Sequence, residues 1–217
     1  MSLFYIILEI LLAYLIGSIP SAVWVGKAFY GIDVREHGSG NAGATNVIRI
    51  LGYKAGIPVL LFDVFKGWFA VQLVYIFPHD TFSADRMDYI MIILAVAAVL
   101  GHIFPVFAGF KGGKGVGTLA GAGIALYPLA LLIVLGIFIL TLVISRYVSL
   151  ASLLGGLAFP FIVIFITGEK HPGLIVMAVF VTILIVLTHR KNISRLIHKK
   201  ENKFQFRKKG QHPQQPG

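Results

Sequence analysis

Two lysines in a run of glycines, Lys111-Gly112-Gly113-Lys114-Gly115, lie between long apolar segments of this 217-residue chain. Glycines let successive backbone N–H groups converge on one point and the lysines add full positive charge, so such a turn suits a phosphate. It is not a Walker loop: Ala108 stands where that motif has its first glycine, and Gly115 takes the place of the magnesium-binding Ser or Thr. A plainer reading, a turn whose lysines only mark the cytoplasmic side, fits the same residues.

Other stretches carry similar chemistry. In His37-Gly38-Ser39-Gly40-Asn41-Ala42-Gly43-Ala44-Thr45-Asn46-Val47-Ile48-Arg49, small and polar residues let donors approach an oxygen-rich ligand, and Arg49 adds a planar fork for phosphate. Thr45 or Asn46 can also cap a short interfacial helix, a role compatible with binding. Ser149 and Ser152 can cap a helix after Arg146-Tyr147 or donate to an anion. If the last apolar helix continues through His189-Arg190-Lys191-Asn192-Ile193-Ser194-Arg195, then His189, Asn192 and Arg195 share a face, able to orient a hydroxyl or to bind anionic lipid. Asp63 and Lys66, three apart in an apolar run, are expected to pair, because an unpaired charge there costs about 2.5–3.5 kcal/mol. His102, before Pro105, is a secondary candidate.

The elements that must position these residues are membrane helices. With 57% hydrophobic residues, 13% charged residues and a mean hydropathy of +0.85, the chain is excluded from the soluble globular class. Its net charge of +10 lies between the apolar runs and in the tail, which points to lipid head groups and phosphorylated substrates rather than nucleic acid. The absence of cysteine excludes disulfides, thiolate metal sites and cysteine nucleophiles. The run from about Leu3 to Val25 has no basic leader and reads as a retained helix. Further runs cover roughly 57–77, 87–107, 116–127, 128–144, 148–167 and 173–188.

The expected fold class is therefore all-α: a polytopic integral membrane bundle of seven transmembrane helices. The 116–127 run is short and Pro128 ends or kinks it, so a five- or six-span arrangement with this region re-entrant fits as well. All lysines and arginines except Arg86, Lys170 and Lys66 fall on one side of the seven-span arrangement. That side is cytoplasmic, with the N-terminus outside and the C-terminus inside. Residues 1–206 read as one domain and 207–217 as a basic, polar, disordered tail.

Several segments, in order, carry a family likeness: Gly17-Ser18-Ile19-Pro20-Ser21; Gly38 to Asn46 with Arg49; Asp63 with Lys66-Gly67; and Gly101-His102-Ile103-Phe104-Pro105. It continues through Lys111 to Val116 with Thr118, Arg146-Tyr147-Val148-Ser149-Leu150, His189-Arg190-Lys191-Asn192-Ile193 and Glu201-Asn202-Lys203-Phe204. Over about residues 10 to 205 the chain resembles the PlsY family of bacterial membrane glycerol-3-phosphate acyltransferases, which use acyl phosphate as donor. Ser39 and Arg49 match its first functional motif, Lys114 and its glycines the second, and His189, Asn192 and Glu201 the third. Gly117 stands where the family commonly has alanine, and Lys191 where it more often has an acidic or neutral residue.

The resemblance implies acyl transfer from acyl phosphate to the 1-hydroxyl of glycerol 3-phosphate, giving lysophosphatidic acid and phosphate. It implies an active site on the cytoplasmic side of the bacterial inner membrane, with the peripheral enzyme that makes acyl phosphate as a partner. Together with the readings above, His189, Asn192 and Ser39 are the expected catalytic residues. Arg49, Asn46, Lys111, Gly112, Gly113, Lys114, Thr118, Ser149, Ser152, Lys66 and Glu201 are the expected substrate-binding set, with Arg49, Lys114 and the amides of Gly112 and Gly113 holding phosphate. An acyl phosphate is already activated, so positioning and charge stabilisation suffice, and no metal or cofactor is called for. His37 is followed four residues on by Asn41 and His102 by Val106, so neither has the acyltransferase aspartate at that spacing. A transporter of an organic phosphate is the rival reading. It predicts charges near the midplane of several spans, whereas here they cluster on one side.

Overall fold

The computed structural model describes residues 2–79 and 82–205, and the expected tail at 207–217 lies outside the described residues. The described residues are helical, without a strand. The helices are α1 (Ser2–Gly17), α2 (Ser21–Tyr30), α3 (Ala44–Leu51), α4 (Tyr53–Gln72), α5 (Ala84–Ile103), α6 (Val116–Leu126), α7 (Pro128–Ser145), α8 (Val148–Phe161), α9 (Pro172–Thr188) and α10 (Arg190–Ile197). Four segments are long and apolar enough to cross a membrane, or up to six if the bent pairs α1/α2 and α9/α10 each count as one. Helix α6, at 11 residues, is about 16 Å long against a hydrocarbon core of about 30 Å. Length thus supports up to six spans and a short seventh helix in place of seven full ones.

The breaks follow from prolines. Helix α5 stops at Ile103, two residues before Pro105, and Pro128 opens α7 directly after α6. The first apolar run, expected to be one helix, bends by 41° at Ser18-Ile19-Pro20. Pro20 has no N–H for the Ile16 carbonyl, which accepts the Ile19 amide at 3.2 Å instead, and at the break itself the Ile19 carbonyl accepts from Lys66 Nζ at 2.9 Å and from the Ser21 amide at 3.0 Å.

Close approach of backbones holds the centre together. Helix α4 packs on α6, α3, α5 and α1. Where α4 meets α6, a Cβ at Gly67 would overlap the Thr118 carbonyl and one at Gly121 the Val64 carbonyl. Lipid gives no hydrophobic drive for helix association, so such small-residue contacts carry the packing. Gly121→Val is therefore expected to cost about 1–3 kcal/mol, read as a lowered melting temperature of the detergent-solubilised protein. By contrast α7 buries only Ala130 and presents Leu132, Ile139, Leu140 and Ile144 outward, as a lipid-facing helix does.

Candidate active site

Proline and glycine shape the cationic turn. After Pro105 the chain makes one 3-10 turn over Val106–Ala108, takes positive φ at Gly109, Phe110 and Gly115, and enters α6 at Val116. Its amides turn back on the helix it leaves: Gly112 N–H donates to the Ile103 carbonyl and Gly113 N–H to the His102 carbonyl, both at 3.1 Å. The two amides expected to hold a phosphate are thus bonded within the chain. The glycines instead let the turn lie flat on the end of α5, where a Cβ at Gly112 would overlap the His102 carbonyl. Lys114 and the first turn of α6 are what remains to face an anion.

Lys114 reaches across to the far end of the sequence. Its Nζ donates to Asn192 Oδ1 at 2.5 Å, and Asn192 Nδ2 donates to Glu201 Oε1 at 2.8 Å. The same carboxylate oxygen accepts from Ser149 Oγ at 3.1 Å, while Oε2 lies 3.0 Å from Arg195 Nε. Burial lowers the Lys114 pKa to about 8, with Glu201 opposing and the positive Arg195 and Arg49 adding to the fall. Arg49 is likewise lowered by its burial, with Glu201 opposing and Arg195 reinforcing. Arg49, Lys114, and Arg195 with Glu201, from three separate stretches, therefore feel one another in a single basin of net positive charge.

His189 sits just beyond α9, where the chain turns by 61° into α10. It is 2% exposed, and its Nδ1 lies 2.9 Å from the Ile185 carbonyl. Donation there fixes the tautomer and leaves Nε2 as an acceptor. Burial, and then the positive Lys114, lower its pKa to about 4, with the Ile185 carbonyl opposing. The ring is thus neutral at ordinary pH. His189 was expected to share a helical face with Asn192 and Arg195; instead it occupies the bend and the other two follow it on α10.

The bonds that join Lys114, Asn192, Glu201 and Ser149 do not include the remaining expected residues. Asn46 is a loop staple: its Nδ2 donates to the carbonyls of Val34 (2.8 Å) and His37 (3.1 Å), and its Oδ1 accepts the Ser39 amide (2.8 Å). Ser39 itself is half-buried on that loop, and Lys111 is exposed. Ser152 donates within its own helix to the Val148 carbonyl at 3.0 Å. Neither Ser149 nor Ser152 caps α8, whose N-cap is Tyr147. Thr118 is fully buried beneath Gly67. Lys66 pairs with Asp63 as expected: it is 1% exposed, with its Nζ on Asp63 Oδ1 at 2.8 Å and on the Ile19 carbonyl. Substrate would have to displace two good bonds to reach it.

Two sets of ties that position the site were not legible in the sequence. Arg35 clasps Asp33 with both Nε (2.9 Å) and one terminal nitrogen (2.7 Å), while its other nitrogen donates to the Ala108 carbonyl at 2.8 Å. It ties the first loop to the cationic turn. The Arg35 hydrogen bond holds the Asp33 carboxyl well below the usual carboxylate range. An aspartate two residues before an arginine is too common a pattern to have been singled out. Arg35→Met is expected to speed amide exchange in residues 108–112 at least about 10-fold, the effect of losing a charge-assisted bond of about 1.5–3 kcal/mol; hydrogen–deuterium exchange by mass spectrometry measures it. The second feature is the segment after α10. Phe204 N–H donates to the Arg146 carbonyl at 2.6 Å and Tyr53 Oη to the Gln205 carbonyl at 2.7 Å, so the stretch carrying Glu201 is strapped across this end of the bundle.

The family model described as glycerol-3-phosphate acyltransferase matches residues 7–199. The chain is 43% identical over 222 residues to the glycerol-3-phosphate acyltransferase of Chlorobium phaeobacteroides, covering 90% of this chain and 94% of that protein. To that of Chlorobaculum tepidum it is 43% identical over 224 residues, covering 92% and 97%. In fold it is similar to the crystal structure of PlsY, an integral membrane glycerol 3-phosphate acyltransferase, in its glycerol 3-phosphate form, with a TM-score of 0.80, 36% identity and coverage of 92% of this chain and 96% of that one. The form of that protein with lysophosphatidic acid gives a TM-score of 0.78 at the same identity. A lone cationic turn would suit many anion binders, but this turn, bonded to Asn192 and Glu201 in a chain alike from end to end, is more specific: the chain belongs to the glycerol-3-phosphate acyltransferase family, as an integral membrane enzyme of the PlsY type.

Proposed function

We propose that the protein transfers an acyl group from acyl phosphate to the 1-hydroxyl of glycerol 3-phosphate, giving lysophosphatidic acid and inorganic phosphate, at the cytoplasmic face of the bacterial inner membrane. The observation that carries this reading is the basin in which Lys114, bonded to Asn192 and acting on His189, lies within the fields of Arg49 and Arg195. Both substrates are phosphates, and the donor adds an apolar tail that lipid-facing helix surfaces accept. The glycerol 3-phosphate and lysophosphatidic acid forms of PlsY support the same acceptor and product here.

In this reading the acceptor hydroxyl oxygen attacks the acyl carbonyl carbon, and the bond from that carbon to the phosphate oxygen breaks. Lys114 and Arg49 stabilise the charge collecting on the leaving phosphate. His189, with its Nε2 lone pair free, accepts the hydrogen bond of the attacking hydroxyl and orients it, and Asn192 holds Lys114 and Glu201 in register. A histidine with a pKa of about 4 is a weaker base than a phosphate ester, whose second pKa is about 6. The proton therefore goes to a substrate phosphate oxygen. Purified protein is assayed with glycerol 3-phosphate and, in parallel, acyl phosphate, acyl-CoA or acyl carrier protein thioester. Turnover with acyl phosphate is expected; turnover with thioesters alone would remove the donor assignment and keep the acyltransferase.

A further inference from the structure

Against the cationic turn lies a second polar cluster, which the acyl-transfer reading leaves without a role. Asp63 Oδ1 on α4 accepts from Ser21 Oγ and Lys66 Nζ, each at 2.8 Å, and lies 3.6 Å from His102 Nδ1 on α5. All four side chains are less than a tenth exposed. The opposite edge of the imidazole abuts the turn, so that a Cβ at Gly113 would overlap His102 Nε2. The His102 carbonyl meanwhile accepts the Gly113 amide. Ring and carbonyl together form the seat of Gly113, the residue before Lys114. The space enclosed by Ser21, Asp63, Lys66, His102, Gly112 and Gly113 is about 10 Å³, the size of one water and too small for a phosphate.

An apolar side chain could fill such a seat without buried charges, whose net contribution to stability is small. What charges add is direction. The χ2 torsion of a histidine is soft, and a carboxylate 3.6 Å from Nδ1, beyond hydrogen-bond length, still favours by its charge the ring orientation that turns an N–H toward it. Lys66 and Ser21 in turn fix Asp63, and Lys66 also binds the Ile19 carbonyl at the α1/α2 break. The chain of contacts thus runs from that break, through α4 and the end of α5, to the glycine beside Lys114.

We propose that His102 is a positioning residue for the transferase site: oriented by Asp63, Lys66 and Ser21, its ring seats Gly113 and so holds Lys114 on Asn192. This rests on the reading of Lys114 as the cation that holds phosphate. Without the ring the turn relaxes and Lys114 regains water, which weakens substrate binding and restores an ordinary lysine titration.

Wild type, His102→Ala, His102→Gln and Ser21→Ala are compared in detergent, each checked by its melting temperature. One readout needs no turnover: the pH dependence of Lys114 acetylation by an amine-reactive reagent, followed by mass spectrometry. In wild type it is expected to titrate at about 8, and in His102→Ala to move toward the ordinary lysine value of about 10.4. The groups whose charges act on Lys114, namely Glu201, Arg195 and Arg49, and the neutral His189 beside it, are unchanged in every variant, so the shift reports its placement. The second readout is kinetic: His102→Ala raises KM for glycerol 3-phosphate about 10-fold with a smaller change in kcat, the signature of lost binding. His102→Gln keeps a polar group toward Asp63 and stays close to wild type, while Ser21→Ala shifts both readouts partway. A folded His102→Ala with an unmoved Lys114 titration overturns the proposal; if that variant does not fold, an unmoved titration in Ser21→Ala does so. A wild type inactive with every acyl donor removes the acyl-transfer reading, whereas the labelling result still decides the placement of Lys114.

Discussion

Lys114→Met is expected to lower kcat/KM by about 1,000-fold, the upper range for removing one preorganised group that stabilises transition-state charge. Lys114 stands at the head of the basin's chain of bonds: it holds Asn192, which holds Glu201, which gathers Ser149 and Arg195. Its removal takes away a charge and leaves Asn192 Oδ1 without its donor. The pH dependence carries a sign. Lys114 is charged below its lowered pKa of about 8 and loses the charge as pH rises through it, so kcat/KM falls on the alkaline side near 8. Lys114→Arg keeps a charge that no accessible pH removes but substitutes a planar fork for a point charge. Partial activity without the alkaline limb is the expected result. A limb near 8 that persists in Lys114→Arg would assign it to another group.

His189→Ala is expected to lower kcat by about 100-fold, within the range lost when a positioned hydrogen-bonding group is removed at the reacting proton. In the wild type the imidazole takes up a proton only as pH falls through about 4, because burial and Lys114 oppose the cation. An acid limb from this residue therefore lies near 4 and not near 6.5. A limb near 6 is expected instead from the substrate phosphate, and it survives in His189→Gln. Loss of that limb in the glutamine variant, with the substrate unchanged, would identify His189 as the base and remove the substrate-base step.

The long apolar helices were legible because lipid leaves the backbone few options. A segment without water must satisfy its own N–H and C=O groups, so runs of about 20 apolar residues become helices wherever they occur. The boundaries read at 148–167 and 173–188 accordingly lie within a few residues of the helices that begin at Val148 and Pro172. The stops at Pro105 and Pro128 were equally local, since the missing N–H acts within one turn. The break at Ser18-Ile19-Pro20 was not foreseen, although the proline was in view. Its stability depends on Lys66 reaching the Ile19 carbonyl from a helix more than forty residues away.

The candidate site divides along the same line. By itself the sequence determined the residue types: a glycine-rich cationic turn, an arginine one loop earlier, and a histidine and asparagine at the end of the last apolar run, all assigned to one side by the charge rule. Only the tertiary structure decided which of them meet. It joined Lys114 to Asn192 and Glu201, turned the Gly112 and Gly113 amides back onto α5, closed Asn46 into its own loop and buried Lys66 against Asp63. The physical reason is range. Hydropathy and proline act along the chain over a few residues, whereas a hydrogen bond or ion pair is set at 3 to 4 Å between groups whose separation depends on how every intervening helix packs.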